Sequence, residues 1–296
     1  MLKFGHVLAP IHPYNLGAEQ FKEILEINSP QPVKVEIFPS SQLGSERDMT
    51  EGMQLGTIDI AIVSGVIANF SPSMKVLYLP YIFRDREHAY KVLDGKIGKK
   101  LSSGLPSIGL RLLAYWENGF RQITNSKRPI YTPEDLEGIK IRVPENKVYL
   151  DSFAKWGANV ITMSFGELYV ALQQNTVDGQ ENSLAIIDTN KFYEVQKYLS
   201  LTKHFYCPAQ VLISEITWKK LSPEMQKAVV KAAEEARDYE RQLLLEKNSS
   251  YLADIKNHGM QVNEVDLDKF RNIAKPIWNK YEDELGVYIE AILNVK

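Results

Sequence analysis

Cysteine is almost absent from this chain. Cys207 is the only one among 296 residues, so neither an internal disulfide nor a thiolate metal cluster can form. Histidine is scarce as well, and His6, His12, His88, His204 and His258 show no metal-ligand spacing. Also missing are G-x-G-x-x-G, the P-loop, H-E-x-x-H, G-x-S-x-G and C-x-x-C, which removes the commonest nucleotide, zinc and nucleophile sites. Ser200-Leu201-Thr202-Lys203 matches S-x-x-K, but its companion motifs are absent and it falls on a strand-like stretch, so it is read as chance. No metal, no cofactor and no catalytic residue is expected. No apolar run approaches the roughly 18 residues of a membrane span. A formal net charge of -2 argues against a nucleic-acid partner, which would need clustered cations. A small-molecule or protein partner is left.

What the chain does have is bulk and alternation. At 296 residues it exceeds the comfortable size of one hydrophobic core, so two lobes are expected. The first half alternates strands and helices. Leu2 to Leu8 reads as a strand, Tyr14 to Ile27 as a helix with Phe21, Ile24 and Leu25 on one face, and Val33 to Phe38 as a second strand. Ser45 and Asp48 form a capping box ahead of a helix closed at Gly56, and Ile58 to Val63 is a buried strand. This β-α-β-α-β order implies a parallel sheet, whose ligands bind beyond the carboxyl ends of its strands. Those ends are His6 to Leu8, Phe38 to Ser41, and Ser64-Gly65.

A second strand-rich block follows, with strands at Leu110 to Tyr115, Phe120 to Thr124, Ile139 to Val143 and Asn159 to Thr162. Between them Thr132-Pro133 starts one helix, and the Ser164/Glu167 capping box starts another. From Ser222 the helical period runs for more than thirty residues, far beyond the usual 11 to 12. A helix of that length is expected to brace both lobes. A strand near Met260 to Val265 and a helix containing Phe270, Ile277 and Tyr281 close the chain.

The candidate chemistry is anion binding. Arg121 in Asn118-Gly119-Phe120-Arg121-Gln122, Arg142 in Ile139-Lys140-Ile141-Arg142-Val143-Pro144, and Glu181-Asn182 each follow or interrupt a short apolar stretch. An arginine fork accepts a carboxylate through two parallel hydrogen bonds, which lysine cannot copy. Phe165 and Trp116 are candidates to cover the apolar face of a ligand, core packing being the other reading of each. An enzyme would need a poised acid or nucleophile beside it, and none stands out.

The stretches GFRQITNSKRPI, TPEDLEGIKIRVPEN, GANVITMSFGELYVALQQNTVDGQENSL and KFYEVQKYLSLTKH closely resemble the DctP-like solute-binding proteins of tripartite ATP-independent periplasmic (TRAP) transporters. FPSSQLGSERDMTEGMQLGTIDIAI and LPYIFRDREHAYKVLDG resemble the same family's first lobe, so the likeness covers nearly the whole chain. It implies an α/β, two-lobed periplasmic-binding-protein fold of type II-like form, with crossing hinge strands and a long hinge helix. The expected division is 1–119 with 208–248 for the first lobe and 120–207 with 249–296 for the second.

The resemblance further implies that Arg142 makes a bidentate salt bridge to a ligand carboxylate and that Arg121 is a second, less direct contact. Asn182 would stand beside the carboxylate, Phe165 would cover it, and His204 would border the pocket. Where sialate binders of the family often carry a glutamate, this chain has Ser64. With His6, Ser45, Ser40 and Ser41 also in first-lobe loops, the preferred ligand is a hexuronate or related sugar acid, with C4-dicarboxylate, sialate and other monocarboxylates as alternatives. A ligand-sensing subunit is the other functional reading. The expected protein is an extracytoplasmic monomer, its leader removed, that delivers its ligand to the membrane subunits of a TRAP transporter.

Overall fold

The computed structural model describes residues 1–296. Ten strands are present: β1 (Leu2–Gly5), β2 (Val35–Phe38), β3 (Ile60–Val63), β4 (Leu110–Asn125), β5 (Lys140–Val143), β6 (Asn159–Thr162), β7 (Gly179–Ser183), β8 (Tyr198–Ser200), β9 (Tyr206–Ser214) and β10 (Gln261–Asn263). In space they run β2-β1-β3-β9-β4-β7-β5-β6, with β8 joining β4 and β10 joining β8. β1, β2 and β3 are mutually parallel, as the β-α-β-α-β order requires, and β9 closes that group antiparallel to β3.

Expectation and structure part company in β4. Its two predicted halves form one sixteen-residue strand. The first half pairs antiparallel with β9, from Leu110 opposite Ser214 to Phe120 opposite Tyr206, and the second half pairs with β7 and β8. The apparent gap in the pattern is an irregularity between Glu117 and Gly119. Gly119 sits there at φ +106, a conformation that side-chain-bearing residues rarely adopt. β4 and β9 are thus the crossing strands between a lobe built on β1–β3 and a lobe built on β5–β7.

The helices are α1 (Pro13–Asn28), α2 (Glu46–Leu55), α3 (Arg86–Asp94), α4 (Lys96–Ser102), α5 (Lys147–Lys155), α6 (Phe165–Gln173), α7 (Leu184–Thr189), α8 (Glu215–Lys220), α9 (Pro223–Asn257), α10 (Leu267–Lys280) and α11 (Glu282–Leu293). The capping chemistry explains where the site-bearing ones begin. Ser45 and Asp48 exchange bonds at the start of α2, with Gly56 left-handed at its end, and Ser164 and Glu167 do the same for α6. Thr132-Pro133 starts only a single 3-10 turn, Pro133–Leu136. The long helix α9 has 35 residues and packs on α1, β4 and α7, touching both lobes and the crossing strand. Neither it nor any other helix is long and apolar enough to cross a membrane.

The C-terminal segment departs from the expected division. α10 packs on α5, but α11 returns to α4 and to the turn at Pro72–Tyr78. Lys75 pairs with Glu284 at 2.9 Å, Arg84 donates to the Val295 carbonyl at 2.7 Å, and the His88 ring meets the Ile292 carbonyl at 2.9 Å. The last helix therefore belongs with residues of the first lobe. Sequence position gave no hint of this, because the contacts lie about two hundred residues apart along the chain.

Candidate functional site

Between the lobes lies a cleft of about 540 Å³, its open mouth included. From the second lobe it is lined by Arg142 and Pro144 at the end of β5, Met163 to Phe165 at the start of α6, and Asn182 on β7. From the first come Val7 and Leu8 after β1, Ser45 to Arg47 at the start of α2, and Ser64 after β3. Strand ends and helix N-termini converge there, as the topology of a parallel sheet predicts.

Arg142 is 2% exposed. Its Nε and one Nη2 hydrogen donate to a single acceptor, the Met163 carbonyl, at 2.9 and 2.6 Å. A guanidinium has five N–H donors, so three remain, and no protein carboxylate pairs with them. Burial, with Arg121 adding to it, lowers its pKa to about 10 against the pull of Glu181. It is a buried cation, charged at neutral pH, without a counterion.

Arg121 lines the same cleft but is already satisfied. Its Nε donates to Glu181 Oε2 at 2.5 Å, its two Nη2 hydrogens serve Glu181 Oε1 at 2.7 Å and the Glu181 carbonyl at 2.8 Å, and Nη1 donates to Asn118 Oδ1 at 2.9 Å. One N–H is left. Burial opposes both charges of this pair, yet each holds the other ionised: the arginine is raised above its usual range and the glutamate lowered below its own.

The remaining expected residues divide. Asn182 and Phe165 line the cleft; the amide of Asn182 donates to Gln180 Oε1 at 2.5 Å. Ser64 lines it with its hydroxyl donated to Glu46 Oε1 at 2.7 Å. Ser45 lines it too, although its hydroxyl is engaged by Asp48 in the α2 cap at 2.8 Å.

Three residues stand elsewhere. Trp116 is fully buried on the helix-facing side of β4, donating to the Ala233 carbonyl at 3.1 Å and packed against the Cα of Gly17, so it is core and cannot cover a ligand. His6 turns its ring into the first lobe, bonding Asn15 Oδ1 at 3.1 Å and accepting from the Leu8 amide at 3.3 Å. It shapes the loop that presents Val7 and Leu8, and burial lowers its pKa to about 4. His204 lies behind Arg121, with Nε2 at 3.2 Å from Glu181 Oε2 and Nδ1 at 2.6 Å from Thr202 Oγ1, and burial lowers its pKa too. It buttresses the Arg121–Glu181 pair from outside the cleft.

The sequence reading missed Glu46, the first residue of α2. Its carboxylate faces the cleft, and burial raises its pKa despite the Ser64 bond and the nearby Arg121 and Arg142. Tyr14, Asn118, Arg47 and Glu145 also line the cleft unanticipated. The available signal was the helix start after β2: a carboxylate in the first turn of a helix beside the sheet's carboxyl end.

A two-lobed α/β scaffold with an uncompensated buried cation in the intervening cleft defines a receptor for an anionic solute. The chain belongs to the bacterial extracellular solute-binding proteins of family 7, whose pattern matches residues 4–284, and it is a TRAP-type solute-binding protein, not an enzyme. It is 40% identical over 269 residues to the 2,3-diketo-L-gulonate-binding periplasmic protein YiaO of Escherichia coli K12, covering 90% of this chain and 82% of the relative. A TRAP periplasmic solute-binding protein from Polaromonas sp. JS666, solved bound to D-erythronate, is 42% identical with a TM-score of 0.97 over 100% of this chain and 98% of that one. The sugar-acid-binding protein DctPAm of Advenella mimigardefordensis, solved with galactonate, is 37% identical with a TM-score of 0.96 over 99% and 96%. The family places the protein on the extracytoplasmic side.

Proposed function

We propose that this receptor captures a sugar acid, a hexuronate or related aldonate, between its lobes and delivers it to the membrane subunits of a TRAP transporter. The observation that carries this reading is the polarity of the cleft: a buried unpaired cation, Arg142, on one lobe and a half-buried carboxylate, Glu46, on the other. A carboxylate on Arg142 relieves an uncompensated charge through the three free N–H groups. Hydroxyl groups suit Glu46, because a carboxylate accepts from O–H donors. A second carboxylate would meet Glu46 as a like charge, which disfavours C4-dicarboxylates. Asn182 and the last N–H of Arg121 are assigned to the same carboxylate, and Phe165 to the ligand's carbon face. The sugar acids held by the Polaromonas and Advenella relatives support this assignment.

Isothermal calorimetry with D-glucuronate, D-galacturonate, D-galactonate and succinate tests it. Tight binding of at least one sugar acid and weak binding of succinate are expected. Preference for succinate overturns the reading. Glu46→Gln removes the charged acceptor while keeping an oxygen, and should weaken a bound sugar acid about tenfold, the scale of one charged hydrogen bond.

A further inference from the structure

At the mouth of the cleft the two lobes are joined by protein alone. Arg47 Nε donates to Glu145 Oε2 at 2.7 Å, and the Asn69 amide donates to the Glu145 carbonyl at 2.6 Å. The neighbouring Asn146 donates to the Gly65 carbonyl at 2.8 Å. Arg47, Gly65 and Asn69 belong to the first lobe; Glu145 and Asn146 follow β5 in the second. Arg47 and Glu145 both line the cleft, yet their side chains are 40% and 35% exposed, whereas Arg121, Arg142 and Asn182 are each 2% exposed. The former are rim and the latter floor. Each rim residue is also tied in sequence to a pole of the cleft: Arg47 follows Glu46, and Glu145 stands three residues after Arg142 with only Val143 and Pro144 between.

We propose that Arg47 and Glu145 are specificity-determining residues for ligand length: their pair can form only across shut lobes, so a ligand is retained without penalty only if its whole chain fits behind it. A longer acid must hold the pair apart, and loses what the pair contributes. For a partly exposed pair that is a modest amount, so the discrimination is about two- to fivefold. Arg47 is also drawn toward Glu51 at 3.7 Å and lies over the Phe70 ring at 5.7 Å, which keeps it at the rim when the pair is open.

The choice of ligands rests on the sugar-acid reading, so the test uses two length series. Wild type, Arg47→Ala/Glu145→Ala and the charge exchange Arg47→Glu/Glu145→Arg are titrated with D-erythronate and D-galactonate, then with butyrate and hexanoate. The double alanine variant should shift the affinity ratio toward the six-carbon acid about two- to fivefold, and the exchange should return it toward wild type. An unchanged ratio, or equal weakening of both lengths, overturns the filter. If wild type takes neither aldonate, the sugar-acid reading fails while the unsubstituted pair still reads the filter.

Discussion

Arg121 and Arg142 are buried to the same 2% on β4 and β5, the two strands that flank β7, and they do opposite things. Arg121 has a carboxylate partner in the protein and four of its five donors occupied. Arg142 has a backbone carbonyl and three donors free. Burial therefore does not separate an arginine paired within the protein from one left unpaired; the location of the counter-charge does. β7 supplies that counter-charge, and strand register decides who receives it. Arg142 lies opposite Gln180 and Arg121 opposite Ser183. Since side chains alternate along a strand, Arg142 shares the face of Gln180 and Asn182, while Arg121 shares the face of Glu181.

The largest effect expected from breaking this contrast is on stability. Glu181→Ala leaves Arg121 buried without its carboxylate, and losing one partner of a buried pair costs roughly 3–5 kcal/mol. Urea denaturation should show it. A loss below about 1 kcal/mol would mean that the pair is not held as described. Arg142→Ala removes a cation that the free protein does not pair, so its stability should equal or exceed that of wild type in the same experiment.

Ligand binding should reverse the order. Charged hydrogen bonds contribute roughly 1.5–3 kcal/mol each, so Arg142→Ala is expected to weaken binding by about two orders of magnitude or more. Arg142→Lys should recover only part, because it keeps the charge and loses the fork. Calorimetry on the folded variants decides this, and near-wild-type affinity in Arg142→Ala would remove the arginine from the site.

The smallest effect is a titration. Burial lowers the Arg142 pKa from the usual arginine range to about 10 in the free protein, a depressed folded-state value. Its destabilising charge is therefore felt below about pH 10 and relieved as pH rises above it toward the ordinary arginine range. A bound carboxylate favours the charged form, so affinity should be flat at neutral pH and fall above pH 10, approaching roughly tenfold per pH unit. Affinity that stays flat to pH 11 would show a guanidinium better compensated than the geometry indicates.

Much of this molecule was legible in local pattern. The capping boxes at Ser45 and Ser164, the 35-residue helix, and the short strand ending at Val143 ahead of Pro144 depend on residues close in sequence, and the physics of caps and periodicity acts over just that range. The candidate residues Arg142, Arg121, Asn182, Phe165, Ser64 and Ser45 all reach the cleft wall.

Orientation and pairing were not local. The irregularity at Glu117–Gly119 keeps β4 continuous, and Trp116, just before it, points into the helices and not the cleft. His6 has its partner on α1 and His204 on β7, which withdraws both from the cleft. α11 returned to the first lobe through contacts about two hundred residues apart. Sequence by itself determined the first-lobe strands and helices, the capped helix starts, the long helix and the presence of two arginines beside short apolar stretches, but not β7 or the crossing strand β9. Only tertiary structure decided which arginine Glu181 neutralises and that Glu46 stands across from the other, because those outcomes follow from the register of strands and the meeting of lobes that no short stretch of chain specifies.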